Sequence, residues 1–206
     1  MTVDQNSKPL FGGAITANIA KDWLDASDLR QVPDNQEVLL SPNNDLTMIT
    51  EVLESVKEGS AADDLEAAIR FHFDSLAHDN DATSSEVQEI YAIPGTSPGQ
   101  PVLSGTLNSS TPTPAPLLLV GHQTVKKFGQ GTGAGDRVRI YLALWRFTPA
   151  KDVDLIMSLN EPLASDALAN AEQDARIEGS LSASAQEAFM RAASSLKVQD
   201  WGLFAH

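Results

Sequence analysis

The chain has 206 residues, no cysteine and a formal net charge of −14. This length fits a single domain over residues 1–206 that buries a core without cross-links, and the absence of cysteine excludes disulfides, thiolate nucleophiles and cysteine metal ligands. No stretch reaches the roughly 20 apolar residues that span a bilayer, and the N-terminus lacks the apolar core of a secretory signal, so we expect an intracellular protein.

The negative charge is concentrated in the first half of the sequence. Residues 1–90 hold 18 Asp and Glu against 5 Lys and Arg, a net of −13, whereas residues 91–206 have a net of −1. An acidic surface repels phosphate backbones, which argues against nucleic-acid binding, and it attracts basic partners. Solubility alone is the other explanation for such a surface.

Two strands and two turns are predicted at the start of the chain. They are a strand at 10–19, a short helical turn at 25–30, a turn at 32–36 and a strand at 37–41. Asp25 or Ser27 is expected to cap the helical turn, because their side-chain oxygens accept from free amides at a helix start. Gly12-Gly13 indicates a bulge in the first strand, and Pro33 presets φ in the second turn.

Apolar residues at spacings of three and four predict three helices. Their ranges are 43–57, 61–78 and 182–197. In the second helix the acidic residues come early and His78 comes late, which suits the helix dipole. In the third, an inward stripe is expected at Ala185, Phe189, Ala192 and Leu196. The apolar tail after it is expected to dock on the core.

The second half of the chain is dominated by strands. Strands are predicted at 85–93, 116–128, 136–148 and 153–163, with a flexible glycine-rich turn at 129–136. Residues 94–116 hold six of the eleven prolines and are predicted to be a loop outside the core. Strands in runs, rather than alternating with helices, favour an α+β fold with an antiparallel sheet covered by helices.

Most candidate catalytic or ligand-binding patterns in the sequence lack the residue spacing or the flanking elements that such sites need. The glycine run at 129–135 is followed by a strand, whereas a phosphate cradle needs a helix there. The four histidines do not form a helical metal pair, and no serine lies in a nucleophile elbow. We therefore expect no cofactor and no metal site.

The segment VPDNQEV, residues 32–38, carries two carboxylates, Asp34 and Glu37. Three interpretations remain open from the residues alone. They are a solvated bend with Arg30 in an internal salt bridge, an acid/base pair of a carboxylate-dependent hydrolase, and a docking patch for a basic partner that includes Asp25, Asp28 and Arg30. Two acids in one turn favour ionised, solvated carboxylates over proton transfer.

Longer stretches of the sequence resemble the Ran guanine nucleotide release factor family. The resemblance begins with LFGGAITANI and DASDLRQVPDNQEV and continues through ITEVLESV, FHFDSLA, IYLALWRFTPAKDVDLIMSLNEPL and the tail LFA. It covers nearly the whole chain except the loop at 94–116. The sequence departs from the family in this loop, in the glycine-rich turn and at Lys21.

The resemblance implies a single-domain α/β/α-type sandwich, with a central, mainly antiparallel six-stranded sheet between helices, similar to an extrinsic protein of photosystem II. It implies a protein that binds the small GTPase Ran, promotes release of its guanine nucleotide and so supports nuclear protein import, without chemistry of its own. It also implies a monomer that is found in the nucleus and partly in the cytoplasm. By position, Asp34 and Glu37 match the acidic pair that contributes to Ran binding in the family. Asp25, Asp28 and Arg30 lie in matching sequence nearby. A scaffold for partners other than Ran is the alternative from another class.

Overall fold

The computed structural model describes residues 7–103, 105, 107–126, 135–163 and 171–204, with the backbone alone given for 171–182. The strands are Ser7–Leu10 (β1), Ile15–Asn18 (β2), Leu24–Asp25 (β3), Gln36–Leu40 (β4), Thr47–Glu54 (β5), Ala82–Ala92 (β6), Leu117–Val125 (β7), Asp136–Arg146 (β8), Val153–Pro162 (β9) and Lys197–Val198 (β10). The α-helices are Leu65–Asp79 (α1) and Ala171–Ser195 (α2). In the described part of the chain, neither helix is long and apolar enough to cross a membrane.

A seven-stranded sheet forms the centre of the fold. Its order is β3-β4-β5-β9-β8-β7-β6, and every neighbouring pair is antiparallel. The predicted α+β class and antiparallel sheet are confirmed. The resemblance implies six strands: six strands of this sheet have five residues or more, and β3, with only two residues at the edge, is the seventh. A smaller sheet, β1-β2-β10, is separate from it.

Each face of the large sheet buries its own apolar cluster. Along β8, Leu142 packs with Phe73 of α1 on one face, and Tyr141 packs against Phe189 of α2 on the other, with ring centroids 5.5 Å apart. This alternation follows from the two-residue period of a strand. The chain therefore has three layers, with α1 on one side of the sheet and α2 with the small sheet on the other.

The helix predicted at 43–57 is wrong, because this segment contains strand β5. β5 pairs along its whole length with β9 and over five residues with β4. As an interior strand it has apolar residues on both faces: Met48 and Val52 face α2, whereas Leu53 faces α1. The apolar positions of the two faces together imitate the spacing of a helical stripe.

The single strand predicted at 10–19 is also wrong, because the segment turns back as a β1–β2 hairpin. Leu10 pairs with Ile15, and the Ala14 amide donates to the Phe11 carbonyl at 3.1 Å. The tip, Phe11–Gly13, has positive φ at all three residues, 50°, 63° and 94°. Glycine adopts such angles without steric cost, whereas a phenylalanine in this region needs support from its surroundings.

Several other predictions are confirmed. The helix at 61–78 and the strands at 85–93, 116–128, 136–148 and 153–163 correspond to α1 and β6–β9 within a few residues at each end. The predicted inward stripe of α2 is buried, as are Trp201 and Phe204 of the tail. The segment 94–116 lacks regular strands in its described residues but is not wholly outside the core, because Val102 is buried in the α2-side cluster. The glycine-rich turn at 129–136 lies mostly outside the described residues.

Candidate functional site

The loop that joins β3 to β4 at the edge of the large sheet carries most of the predicted site residues. β3 and β4 pair with Asp25 opposite Leu39. The Asp25 carboxylate accepts a hydrogen bond from the Ser27 amide at 2.8 Å and so caps the 3₁₀ turn at Ala26–Asp28, as the sequence predicts. Asp25 therefore has a local structural role and is only partly exposed.

A second turn completes this β3–β4 loop and holds Asp34 at the surface. The Gln36 amide donates to the Pro33 carbonyl at 2.9 Å, and the Val52 amide of β5 donates to the Asn35 carbonyl at 2.9 Å. These bonds hold the loop against the neighbouring strand. The Asp34 side chain is exposed, in agreement with the prediction.

Glu37 has a different environment from the one predicted. It lies within β4, in agreement with the strand predicted at 37–41, but its side chain is only partly exposed. Side chains alternate along a strand, so Glu37 shares the α2 face with Leu39, where the β1–β2 hairpin lies. The Phe11 amide at the hairpin tip donates to Glu37 Oε1 at 2.6 Å. The expectation that the Glu37 carboxylate is solvated like that of Asp34 is therefore wrong.

This hydrogen bond joins the two most distinctive stretches of the sequence, LFGG and VPDNQEV. It spans 26 residues of chain and supports a tip whose three residues all have positive φ. An ionised carboxylate makes a stronger acceptor than a neutral group. Glu37 thus fixes the hairpin tip against the start of β4, next to the β3–β4 loop.

The pKa of Glu37 is raised above its ordinary value of 4.5, first because burial penalises the charged form. The Phe11 amide lowers it, the Asp25 carboxylate raises it, and Lys8 lowers it. The Lys8 ammonium is held near the site, since it donates to the Trp23 carbonyl at 2.6 Å. Ionisation of a carboxylate at this position therefore lowers the free energy of unfolding, whereas an uncharged side chain has no such cost.

The outer surface of the β3–β4 loop combines exposed charge with exposed apolar side chains. Asp28, Arg30 and Asp34 are exposed, and Arg30 makes no ion pair within the described residues, so the internal salt bridge considered above does not form there. Leu24 and Leu29 are 52% and 70% exposed. We call Asp25, Asp28, Arg30 and Asp34, with these two leucines, the acidic edge. Sequence reasoning missed the two leucines, although their position between the charged residues was visible.

The arrangement does not support acid/base catalysis by Asp34 and Glu37. The Asp34 carboxylate is on the exposed turn, and the Glu37 carboxylate accepts a hydrogen bond from the Phe11 amide. Four cavities of the described part of the chain have linings that include neither residue. Nor do the described residues contain a group of three or more His, Asp or Glu placed to hold a metal ion.

Comparison with known proteins identifies the family. The family model described as "Ran-interacting Mog1 protein" matches residues 8–162, which include the hairpin tip, the acidic edge and Glu37. The chain belongs to the Mog1 family. Among its Mog1 relatives, the Ran guanine nucleotide release factor of Danio rerio is 33% identical over 171 residues, covering 81% of this chain and 86% of that protein. The human protein of the same name is 32% identical over 154 residues, covering 75% of this chain and 74% of its own.

A solved structure of a Mog1 protein has the same fold as this chain. The Saccharomyces cerevisiae Ran-binding protein Mog1p superposes with a TM-score of 0.65 and covers 98% of this chain and 100% of its own, at 24% identity. At this identity the likeness shows the fold, with its helices and large antiparallel sheet.

Proposed function

We propose that this protein binds the small GTPase Ran and promotes release of its bound guanine nucleotide, in support of nuclear protein import. The observation that carries the proposal is the hydrogen bond from the Phe11 amide to Glu37 in a chain of the Ran-interacting Mog1 family. It assembles LFGG and VPDNQEV beside the acidic edge. The names of the relatives, Ran guanine nucleotide release factor and nuclear import protein, support the same function.

The site residues have separate roles in this proposal. Asp34, Asp28 and Arg30 are exposed and supply charge to a partner surface, with Leu24 and Leu29 supplying apolar contact. Charged rims around apolar contacts steer association and set its register. Asp25 and Glu37 act by holding the acidic edge and the hairpin tip in place, and Glu37 also keeps a negative charge near the surface.

Release of nucleotide follows from linkage. A GTPase holds its nucleotide through switch loops, a P-loop lysine and Mg²⁺. A partner that binds the nucleotide-free form more tightly weakens nucleotide affinity by the same factor. The protein therefore needs only differential binding, and we propose that it acts as a regulator without chemistry of its own.

The same proposal extends to organisation and location. We propose one Ran-binding domain over residues 1–206, because α2, beyond the family match, packs its buried stripe on the same sheet as the matched residues. We also propose a monomer that is found in the nucleus and partly in the cytoplasm, without nucleic-acid partners. The nuclear import names of the yeast relatives support the location.

The test is the rate of fluorescent GTP release from Ran, with and without the protein. We expect Asp34→Lys to reduce the rate at sub-saturating concentration by roughly fivefold, and to reduce its dependence on salt, because a repulsive charge replaces an attractive one. Asp45→Lys is the matched control, since Asp45 is an exposed carboxylate in the turn at the other end of the β4–β5 hairpin. Failure of the wild type to accelerate release would refute the activity. Equal rates for Asp34→Lys and Asp45→Lys would refute the site.

A further inference from the structure

A groove of about 480 Å³ lies on the α1 face of the sheet, opposite the face that carries Glu37. It runs between one side of α1 and strand β5. α1 packs over β6, β7 and β8, so it leaves the β5 side of this face without a helix above it. The groove fills this space.

The floor of the groove is apolar. It is formed by Leu53, Val56, Phe71, Leu76 and Ile156. A polar side chain without a partner in the described part of the chain lies beside this floor. Ser55 lines the groove and is only 7% exposed, and its hydroxyl oxygen has no hydrogen-bond partner among the described residues. A buried polar atom without a partner costs free energy, so this part of the groove wall is not optimised for stability alone.

The neighbouring buried charges are already satisfied. His72 lines the groove, but its Nε2 lies 2.9 Å from Asp154 Oδ2. Arg146 donates twice to the same carboxylate, with both bonds 2.8 Å long. This buried cluster supports the floor, while the Ser55 hydroxyl beside it has no hydrogen-bond partner among the described residues.

The rim of the groove is strongly acidic. Four carboxylates line it: Glu51, Glu54, Glu58 and Asp79. The cation at the rim, Lys57, forms an ion pair with Asp152 outside the groove. An apolar floor inside an acidic rim is complementary to an apolar side chain flanked by positive charges.

We propose that this groove is a second docking site, which takes an amphipathic, lysine- or arginine-rich segment of a protein partner. A large apolar side chain of the segment enters the floor beside Ser55, and flanking cations face the four rim carboxylates. The groove lies on the other face of the sheet from Glu37, and the proposal does not rest on the Ran function. Because the rim residue Glu51 accepts a hydrogen bond from Gln36 at 2.7 Å, beside the acidic edge, the charge reversals below are made at Glu54 and Asp79.

The test is a titration of the ¹⁵N-labelled full chain with a synthetic peptide of about 15 residues, carrying leucines at helical spacing and lysines on both flanks. We expect saturable shifts at amides of β5 and α1 that line the groove. A scrambled peptide of the same composition, whose leucines do not share a face, should bind at least about fivefold more weakly, since it loses the apolar contact. Equal binding of the two peptides, or no saturable shift in the groove, would overturn the proposal.

Charge reversal at the rim gives the second arm of the test. Glu54→Lys with Asp79→Lys should weaken the leucine-lysine peptide about tenfold. Asp79 is the last residue of α1, where a lysine suits the helix dipole, so the fold should survive. Asp74→Lys with Glu89→Lys is the control, because it makes the same change in net charge at exposed positions outside the groove.

Two further results would count against the proposal. One is equal weakening by the two double variants, since attraction to overall charge would then explain the binding. The other is a set of groove shifts that appears on raising the protein concentration without peptide. A second copy of the chain would then be the occupant.

Discussion

Substitution of Glu37 separates the two properties of its side chain, the oxygen that accepts from Phe11 and the negative charge. Glu37→Ala removes both. Glu37→Gln keeps an oxygen acceptor of the same reach and removes the charge. Because the carboxylate is half-buried and close to Asp25, the two variants should differ in stability as well as in function.

The expected loss in Glu37→Ala comes from one hydrogen bond. A bond to a charged group contributes about 1.5–3 kcal/mol when buried, and a half-buried one contributes less, so we expect a loss of about 1–2 kcal/mol in the free energy of unfolding. For a chain of this size that lowers Tm by about 2–8 °C. Glu37→Gln should stay within about 0.5 kcal/mol of the wild type near pH 5.

The pH dependence distinguishes the variants further. The pKa of Glu37 is raised in the folded state, so its contribution to stability is fully present below the unfolded pKa and is lost as pH rises through the folded pKa. Glutamine does not titrate. Glu37→Gln should therefore gain stability relative to the wild type from about pH 4 to pH 7, while it releases nucleotide from Ran more slowly because the charge is gone.

The assay is urea denaturation of wild type and both variants between pH 4 and pH 7, beside nucleotide release. Glu54→Ala serves as a control, since Glu54 is exposed at the end of β5 and should change stability by less than about 0.5 kcal/mol. If Glu37→Gln is destabilised as much as Glu37→Ala, the acceptor role is wrong. If it gains nothing with rising pH, the burial argument is wrong.

Two further substitutions test the core. Asp154→Ala leaves the Arg146 guanidinium buried without its carboxylate and should cost about 3–5 kcal/mol in urea denaturation, whereas a surface pair would cost under 1 kcal/mol. Burial by itself would raise the pKa of Asp154, but hydrogen bonds from Arg146 and His72 outweigh it and lower the pKa. The stability that this carboxylate gives the wild type should therefore be lost as pH falls below about 3.8. Asp154→Ala should not show this loss. Gly121→Ala should cost about 1–3 kcal/mol, measured by thermal unfolding, because its Cβ would meet Phe73 Cζ at 2.5 Å; an unchanged Tm would refute this packing.

Local sequence signals predicted those elements whose faces differ in polarity. α1 has one apolar stripe and an N-cap at Asp64, which accepts from the Glu66 amide at 2.8 Å, so its pattern is unambiguous. The Asp25 cap was predictable for the same reason, because the bond it makes is two residues away. Strand β5 was not, since it carries apolar residues on both faces, which removes the alternation that marks a strand.

The composition, the acidic first half, the antiparallel class and the family resemblance were all determined by the sequence itself, because each depends on residue types or on order along the chain. The tertiary structure decided how the two motifs meet. Only the fold brings the Phe11 amide 2.6 Å from the Glu37 carboxylate, and it thereby divides the acidic pair into an exposed charge at Asp34 and a half-buried acceptor at Glu37. Burial and long-range hydrogen bonds are properties of packed neighbours, and no spacing within one segment encodes them.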